Sequence, residues 1–540
     1  MVKAVNRTAK LTRRPNSSVP REAVLEWIDR MRPDYDATAK YIWENPELSL
    51  VEYRSSARLM GWLKKEGFRV KAGICGMDTA FVASSGSGKP VMGFLAEYDA
   101  LPNLSQQPGC AVARPIHPGA PGHGCAHNLY GASSVTAAIA AARAVKKYGM
   151  EGTLTVFGCP AEETLVGKVY MNRERIFDAA DILLSWHPSD QNGADYISYL
   201  AMKSAKFQFF GRSAHGAVSP DHGRNALSAV QLMNAGVSYM REHVVQEARI
   251  HNVISSGGET PNNVPPFAEN YYFIRAPRTA QVDHIWNWML DIARGAALMT
   301  QTKMRYELLT AIHERLPNRT LARMGDEIAR SIGPPPFSPE DQRFGREIMK
   351  SLGKDAVDEP FSPRVVSPDF SRTFPDVFCK KATNDQGNLS WRVPLLTFSA
   401  ATQAKSTPYH SWQMVSQANS PAALKAGLLV SKWLAVSALA LFEKPQIIRE
   451  AQKELRGYLR DFGKYRDPIS PELKVPTFKK LYGITPDAVP GGTGKKDFAP
   501  GIKKAPKAAV ADDFQCAPCY FSSGSRERKN LTRDFPFDLK

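Results

Sequence analysis

Apolar residues fall into two rhythms along the chain. Short apolar runs at Thr79 to Ser84, Pro90 to Ala96, Thr153 to Gly158 and Ile182 to Trp186 predict buried strands, and the Ala-rich stretch Leu129 to Tyr148 predicts a helix among them. Strands alternating with helices make an α/β sheet covered by helices. A different order follows: a strand near Lys206 to Phe210, a long helix at Asn225 to His243, and strands around Val253 and Tyr271 to Arg275. A helix near Val282 to Leu298 and a strand near Met304 to Leu309 complete an α+β insert of roughly a hundred residues, the lower end of domain size. The α/β character returns with a strand at Leu395 to Ser399 and a long apolar helix at Ala422 to Leu441. The expected fold is α/β, with a discontinuous main domain of helices around a mixed sheet (21–202 and 314–445) interrupted by an α+β satellite (203–313). A basic tail (1–20) precedes it, and an extension (446–485) and a basic tail that is flexible or loosely docked (486–540) follow.

Composition narrows the class. At 540 residues and 43% apolar content the chain is too long for one compact domain and rich enough for an ordinary core. The longest apolar candidate, Ala426 to Phe442, is broken by Lys432, so it reads as a buried core helix and no membrane partner is expected. Met1 to Pro20 lacks the apolar stretch of a secretory signal, although its Arg and Ser content faintly resembles an organellar transit segment. Seven cysteines in such a length make no disulfide framework, which suits a reducing compartment, and a cytoplasmic location is expected.

The net charge of +17 raises nucleic acid as a partner, yet much of the excess sits at the ends, in Lys3, Arg7, Lys10, Arg13 and Arg14. Charge of that kind gives only weak, salt-sensitive attraction to polyanions, and no nucleic acid is expected. In the C-terminal tail, Gly491 to Lys496 resembles a phosphate loop but lacks the spaced first Gly, the Ser/Thr after Lys and a preceding strand. Cys516 and Cys519 form a C-x-x-C pair with no second pair and no βαβ context, which favours two free thiols.

Chemistry concentrates where α/β sheets place their sites, at the ends of strands. Glu97-Tyr98-Asp99-Ala100-Leu101-Pro102 puts two carboxylates at a turn, which alone is weak because such residues are usually just solvated. Gly122 to Asn128 places His123, Cys125 and His127 on a Gly-rich loop before the Ala-rich helix, and thiolate with imidazole suits a transition metal. Taken singly, Cys125 or His127 would read as a buried Cys or a capping His; three within five positions favour metal. Glu162 and Glu163 follow a buried strand, where adjacent carboxylates are costly to desolvate without a cation. They could divide the roles of metal ligand and general base, or merely complement a helix dipole. His187, in Ser185-Trp186-His187-Pro188, and His410, in Thr407-Pro408-Tyr409-His410-Ser411-Trp412, are each more often structural when met alone.

Together, the five ordered segments resemble the dinuclear metallopeptidases that include aminoacylases and carboxypeptidases, and most of all their amidohydrolase branch. The resemblance runs from about Glu22 to about Phe442. It implies that Cys125, His127, Glu163, His187 and His410 hold two divalent metal ions, Zn or Mn, with Glu162 as general base and Asp99 orienting an imidazole ligand. Wider family members carry His where Glu97 stands, so this chain follows the branch in which the loop Cys takes over metal binding, and Glu97 is not counted among the ligands. The satellite would pair two subunits, as a homodimer or as a heterodimer with a related subunit. Gly211 to Gly216 matches the satellite motif, making His215 an oxyanion or substrate contact supplied in trans; without the resemblance it is an exposed loop His. Asn262 and Arg275 match family positions for substrate binding, and a cation such as Arg275 could hold a substrate carboxylate.

The implied reaction is hydrolysis of a linear amide in a small N-acyl amino acid or dipeptide-like substrate, through a water shared by two ions and deprotonated by Glu162. Three positions depart from the family's pattern. Ala126 stands where Gly is usual, Asn388 where this branch tends to have Asp, and Asn263 where the Pro-Asn-Val-Val-Pro stretch has an apolar residue. None removes an implied ligand. A non-catalytic, substrate-binding relative is the alternative, disfavoured by the retained Glu162. A zinc nucleobase deaminase is not supported, because Gln515 rather than Pro precedes Cys516 and no His-x-Glu lies upstream at a strand end.

Overall fold

A computed structural model describes residues 21–490 and Gly492. Three helices open it, α1 (Arg21–Arg30), α2 (Arg32–Glu44) and α3 (Tyr53–Lys65). The first strands are β1 (Arg69–Ala72), β2 (Phe81–Ser87) and β3 (Val91–Glu97), followed by α4 (His127–Lys147), β4 (Gly152–Cys159), α5 (Gly167–Arg173) and β5 (Ile182–Ser189). Two short strands, β6 (Gly193–Ala194) and β7 (Ser198–Tyr199), lead to a second layer. It comprises β8 (Ala201–Phe210), α6 (Ala226–Met240), β9 (Arg249–Ser256), β10 (Phe267–Ala276), α7 (Thr279–Met299) and β11 (Lys303–Ile312). The chain then returns through α8 (Arg319–Ile332), α9 (Pro339–Ser351), β12 (Cys379–Lys380), α10 (Gly387–Ser390) and β13 (Leu395–Ala401). It ends in α11 (Trp412–Gln417), α12 (Pro421–Glu443), α13 (Pro445–Asp461) and α14 (Phe478–Tyr482).

Seven strands form a mixed sheet in the order β1-β2-β4-β3-β5-β13-β6, parallel from β4 through β13 and antiparallel at both edges. The central strands are covered on both faces, which is why β3 is buried almost throughout and its sequence runs apolar instead of alternating. Helix α4 packs against β3 with small residues. A Cβ at Gly131 would approach the Glu97 carbonyl oxygen to 2.8 Å, so the close approach depends on that glycine. Helix α12 lies against α4, and 78% of its apolar window is buried. It is long and apolar enough to cross a membrane, and it is the core helix that Lys432 suggested.

The second sheet, β11-β8-β10-β9, is wholly antiparallel and packs α6 and α7 around its own core of Phe207, Phe209, Met233, Tyr272 and Met289. Asn225 caps α6 by accepting from the Leu227 and Ser228 amides. The α/β class, the mixed sheet and the α+β insert therefore stand as expected. The three helices before Lys65, and α8, α9 and α13, extend that pattern.

At the C-terminus, residues 486–490 follow the docked alternative, because Val489 is buried with Leu48, Val51, Tyr53 and Phe478. Apolar contact outweighs the local Pro/Gly content there. The basic segment 1–20, most of the glycine-rich stretch to Lys496, and Cys516 and Cys519 lie outside the described residues.

Candidate metal and hydrolytic site

The ends of β3, β4 and β5 bring the sequence-predicted donors together. Glu97 is the last residue of β3, Glu162 and Glu163 lie three and four residues beyond β4, and His187 is near the end of β5. His127 begins α4 after a tight turn in which Ala126 adopts φ 57 and ψ 36, in the left-handed region. The departure from Gly at this position thus does matter, since a Cβ there costs roughly 1–2 kcal/mol. Ala161 (φ 56), Leu165 (φ 58) and His410 (φ 58) are held in the same region, so non-glycine strain gathers around these donors. His410 is tied down by its amide, which donates to the Gly124 carbonyl at 3.0 Å.

Three trios have ligand atoms within 4.8 Å of one another: Cys125 with His127 and His187, Cys125 with Glu163 and His410, and Glu97 with His127 and Glu162. The first two share Cys125. All five donors implied by the resemblance are in those two trios, and Glu97 joins His127 and Glu162 in the third. Glu97 Oε2 and Glu162 Oε2 lie 3.4 and 3.7 Å from His127 Nε2, and His410 Nε2 lies 3.3 Å from Glu163 Oε2.

Asp99 organises the centre. One oxygen lies 3.0 Å from His127 Nδ1, and the other accepts from the Ser49 hydroxyl and the Glu163 amide, each at 2.9 Å. This fixes the imidazole with Nε2 facing the carboxylates. His187 donates from Nδ1 to the Pro188 carbonyl at 2.8 Å, which leaves Nε2 as a lone-pair donor. Its pKa falls to about 3, through burial and then the charges of Lys380 and His127, so the ring is neutral. Burial lowers the pKa of His127, but the Asp99 and Cys125 hydrogen bonds and the Glu163 and Glu97 charges outweigh it and raise the value well above 6.5. Glu162 is pushed well above the carboxylate range by burial, then by the charges of Glu97 and Asp385.

The donor set fits a divalent transition metal. Glu97 Oε2, His127 Nε2 and Glu163 Oε1 are buried without any hydrogen-bond partner, an expensive arrangement for three polar atoms that a cation would satisfy. Thiolate with imidazole matches such an ion. A cation there would also offset the crowding of negative charge that raises Glu162.

Several buried charged residues of this site have no motif in the sequence. Lys168, 0% exposed, lies 2.8 Å from Glu97 Oε1 and pairs with Asp385. Asp385 also accepts from the Lys168 amide at 3.0 Å. In the structure Lys168 lies within the wholly buried stretch Gly167 to Asn172, which no local sequence signal marks. Glu52 accepts from the Leu50 and Ala161 amides, each at 2.8 Å, and from the Thr79 hydroxyl at 2.7 Å, anchoring the turn that carries Glu162.

The remaining predicted residues lie on the second sheet. His215 is exposed, and its Nδ1 accepts from the Ala217 and Val218 amides at 3.2 and 3.1 Å. Asn262 is exposed beside it, its carbonyl accepting from the Gly216 amide at 2.9 Å. Arg275 stacks over Phe273 and lies 3.1 Å from His251 Nδ1. None of these contacts reaches the donor cluster. Asn263 holds the His215 loop by accepting from the Ser213 hydroxyl at 2.6 Å, which accounts for a polar residue at that position. Asn388 accepts from the His313 amide at 2.8 Å and donates to the Ala311 carbonyl at 3.2 Å, and the donor half of that pair is beyond a carboxylate.

No protein-family model matches the chain. It is 37% identical to a subunit of the p-aminobenzoyl-glutamate hydrolase of Escherichia coli (strain K12), over 82% of this chain and 96% of that protein. It is 28% identical to the Xaa-Arg dipeptidase of Mus musculus, over 81% of this chain and 92% of that protein. A crystal structure of an aminobenzoyl-glutamate utilization protein from Klebsiella pneumoniae shares the fold, with a TM-score of 0.52 at 15% identity over 77% of this chain and 98% of that one. With the donor cluster at the strand ends and a hydrolase related over nearly its whole length, the chain belongs to the amidohydrolase branch of the dinuclear metallopeptidases, the family of the p-aminobenzoyl-glutamate hydrolase of E. coli.

Proposed function

We propose that this metallo-amidohydrolase cleaves a small N-acyl amino acid, a p-aminobenzoyl-glutamate-like compound or a dipeptide, and that Cys125, His127, Glu163, His187 and His410 hold two divalent ions. The observation that carries this reading is the pair of donor trios sharing Cys125, with Glu162 against them. Bound divalent ions, Zn or Mn, would supply Lewis acidity and ease deprotonation of water at neutral pH. Glu162 takes the proton from the attacking water and returns it to the departing amine nitrogen. Asp99 keeps His127 in one tautomer and, through the Glu163 amide, sets the neighbouring carboxylate. His215 of the partner subunit donates to the oxyanion as the tetrahedral intermediate forms, where a donor is worth most. Asn262 and Arg275 of the satellite contact the substrate.

Subunit pairing, with a second copy or a related subunit, is supported by the free edge at β9, where Val253 and Ile254 are exposed on the strand. A cytoplasmic location is supported by five unpaired cysteines among the described residues. The test is metal analysis with a hydrolysis screen over N-acyl amino acids and dipeptides. Close to two transition-metal ions per chain, lost together with activity on chelation, is expected; a folded, reconstituted protein that takes up only traces rejects the assignment.

A further inference from the structure

A cavity of about 600 Å³ opens where β5 and β13 end, lined among others by Ser189, Asp190, Asp195, Arg372, Lys380 and Ser399. Its size suits a small-molecule site. It begins two residues past His187, and Ser399 lies opposite His187 in the β13–β5 register. The cavity therefore opens beside the end of β5 that carries His187.

Lys380, the last residue of β12, is half-buried, and its ammonium lies 5.3 Å from the Tyr409 ring centre and 5.8 Å from that of Tyr199. The Tyr409 ring is in turn 5.7 Å from the His187 ring, and its hydroxyl donates to the Pro188 carbonyl at 2.8 Å. A single aromatic ring thus separates this ammonium from His187, and His410 is the next residue after that tyrosine.

The other cations near this cavity are committed or peripheral. Arg315, stacked on Tyr199 at 4.5 Å, donates to the Ile197 carbonyl at 3.0 Å and to the Thr397 hydroxyl at 3.2 Å. Arg372 is exposed and lies 4.0 Å from Asp369. Asp195 faces the same cavity but is held by the Ser399 hydroxyl at 2.9 Å. Among the described residues Lys380 makes no ion pair within 4 Å; it has the two ring contacts, and its charge is felt by His187 and by Asp195. Ring faces fix an ammonium by its quadrupole attraction and leave N–H groups free for an anion.

We propose that Lys380 binds the α-carboxylate of the substrate's amino-acid half, and that the cavity behind it accommodates that half's side chain. The enzyme would then select amides that retain a free carboxylate. This rests on the reading of the donor cluster as the hydrolytic centre, and it places carboxylate recognition on the chain that carries the metal ligands, independently of Arg275.

The test is calorimetric binding to the metal-loaded, full-length Glu162→Gln variant. The probes are N-benzoylglycine, N-benzoylarginine and N-benzoylglutamate, each compared with its α-carboxamide. At least one acid should bind about tenfold or more tightly than its carboxamide, the scale of a hydrogen bond between charged groups. Adding Lys380→Met should remove that preference with metal content and circular dichroism unchanged, and Lys380→Arg should keep most of it. A preference that survives Lys380→Met, the absence of any acid preference across the panel, or an equal loss of acid and carboxamide binding would each overturn the proposal. In the parent enzyme, Lys380→Met should raise KM for the acids with little change in kcat. A parent that turns over no amide, while the binding preference depends on Lys380, would count against the hydrolytic reading and leave the carboxylate site standing.

Discussion

The strand ends of the seven-stranded sheet and the loops of the four-stranded sheet both carry family-matched polar residues, but they hold them in opposite ways. At the strand ends, residues between Glu97 and His410 converge within a few ångströms, and His127, Asp99 and Glu97 are almost completely buried. Their orientation is fixed by contacts from several elements, and three polar atoms are left facing one another. On the second sheet, His215 and Asn262 lie in solvent and contact only their own and each other's loops. One region pays for preorganisation in buried charge; the other is inexpensive to fold and offers functional groups to a neighbouring surface. The contrast agrees with the proposal that the second region completes a site on a partner.

The largest effect expected within the buried region is on turnover. Glu162→Gln should lower kcat by about 10²- to 10⁴-fold, the range for loss of a positioned general base. Metal content should stay at the parental level, because Glu163 and the imidazoles remain. Stopped or discontinuous assays with elemental analysis check both numbers, and parental turnover would require another base.

A second effect concerns stability and should be confined to the same region. Lys168→Met removes the cation between Glu97 and Asp385, leaving two buried carboxylates without a partner. Breaking such a pair costs about 3–5 kcal/mol, measurable as a lower urea midpoint. The double variant Lys168→Met with Asp385→Asn should recover part of that loss. Truncation of Arg275 on the second sheet should cost clearly less. Equal losses at the two places would erase the contrast.

Complementation sharpens the comparison between regions. His215→Ala and Glu162→Gln chains, each inactive, should regain activity when mixed under conditions that exchange subunits. A mixed dimer has one site with an intact Glu162 and the partner's His215, and one doubly defective site. Random exchange in equal amounts therefore bounds recovery at about a quarter of the parental rate. No recovery despite demonstrated exchange would mean that His215 serves its own chain or none.

How much of this was legible from sequence depends on what each residue needs to be recognised. The strands leading to Glu97, Glu162 and His187 are apolar runs, so the sheet and the location of its site could be read from hydrophobic pattern, and the motifs supplied the donors. Lys168 and Asp385 are different. They are 217 residues apart, and only the packing of α5 against α10 makes them a pair. A lone lysine in sequence reads as solvent-exposed, and nothing local announces its burial. Lys380 escapes notice for the same reason, since its aromatic platform comes from Tyr199 and Tyr409. The α1 helix, by contrast, was within reach of pattern, with Val24 and Ile28 four residues apart on its buried face. Docking of Val489 was not, because the partners at Leu48 and Val51 lie at the other end of the chain.

The smallest expected effect tests whether strain belongs to the buried region's function. Ala126 sits at φ 57 between Cys125 and His127, and its own side chain is fully buried. Ala126→Gly would relieve roughly 1–2 kcal/mol of left-handed strain and restore the residue usual in the family. Against that, glycine loosens the unfolded chain by about 0.4–1 kcal/mol. The two opposing terms leave a net stabilisation of about 0–1.5 kcal/mol, read as a small rise in the denaturation midpoint. Because the backbone already adopts a conformation open to glycine, the proposed ligands on either side should not move, and metal content and kcat should match the parent. A variant that is less stable than the parent would show that the Ala126 methyl contributes more by packing than it costs in strain. A variant that is more stable but loses metal would show instead that a rigid turn, beyond its mere shape, is what holds Cys125 and His127 in register.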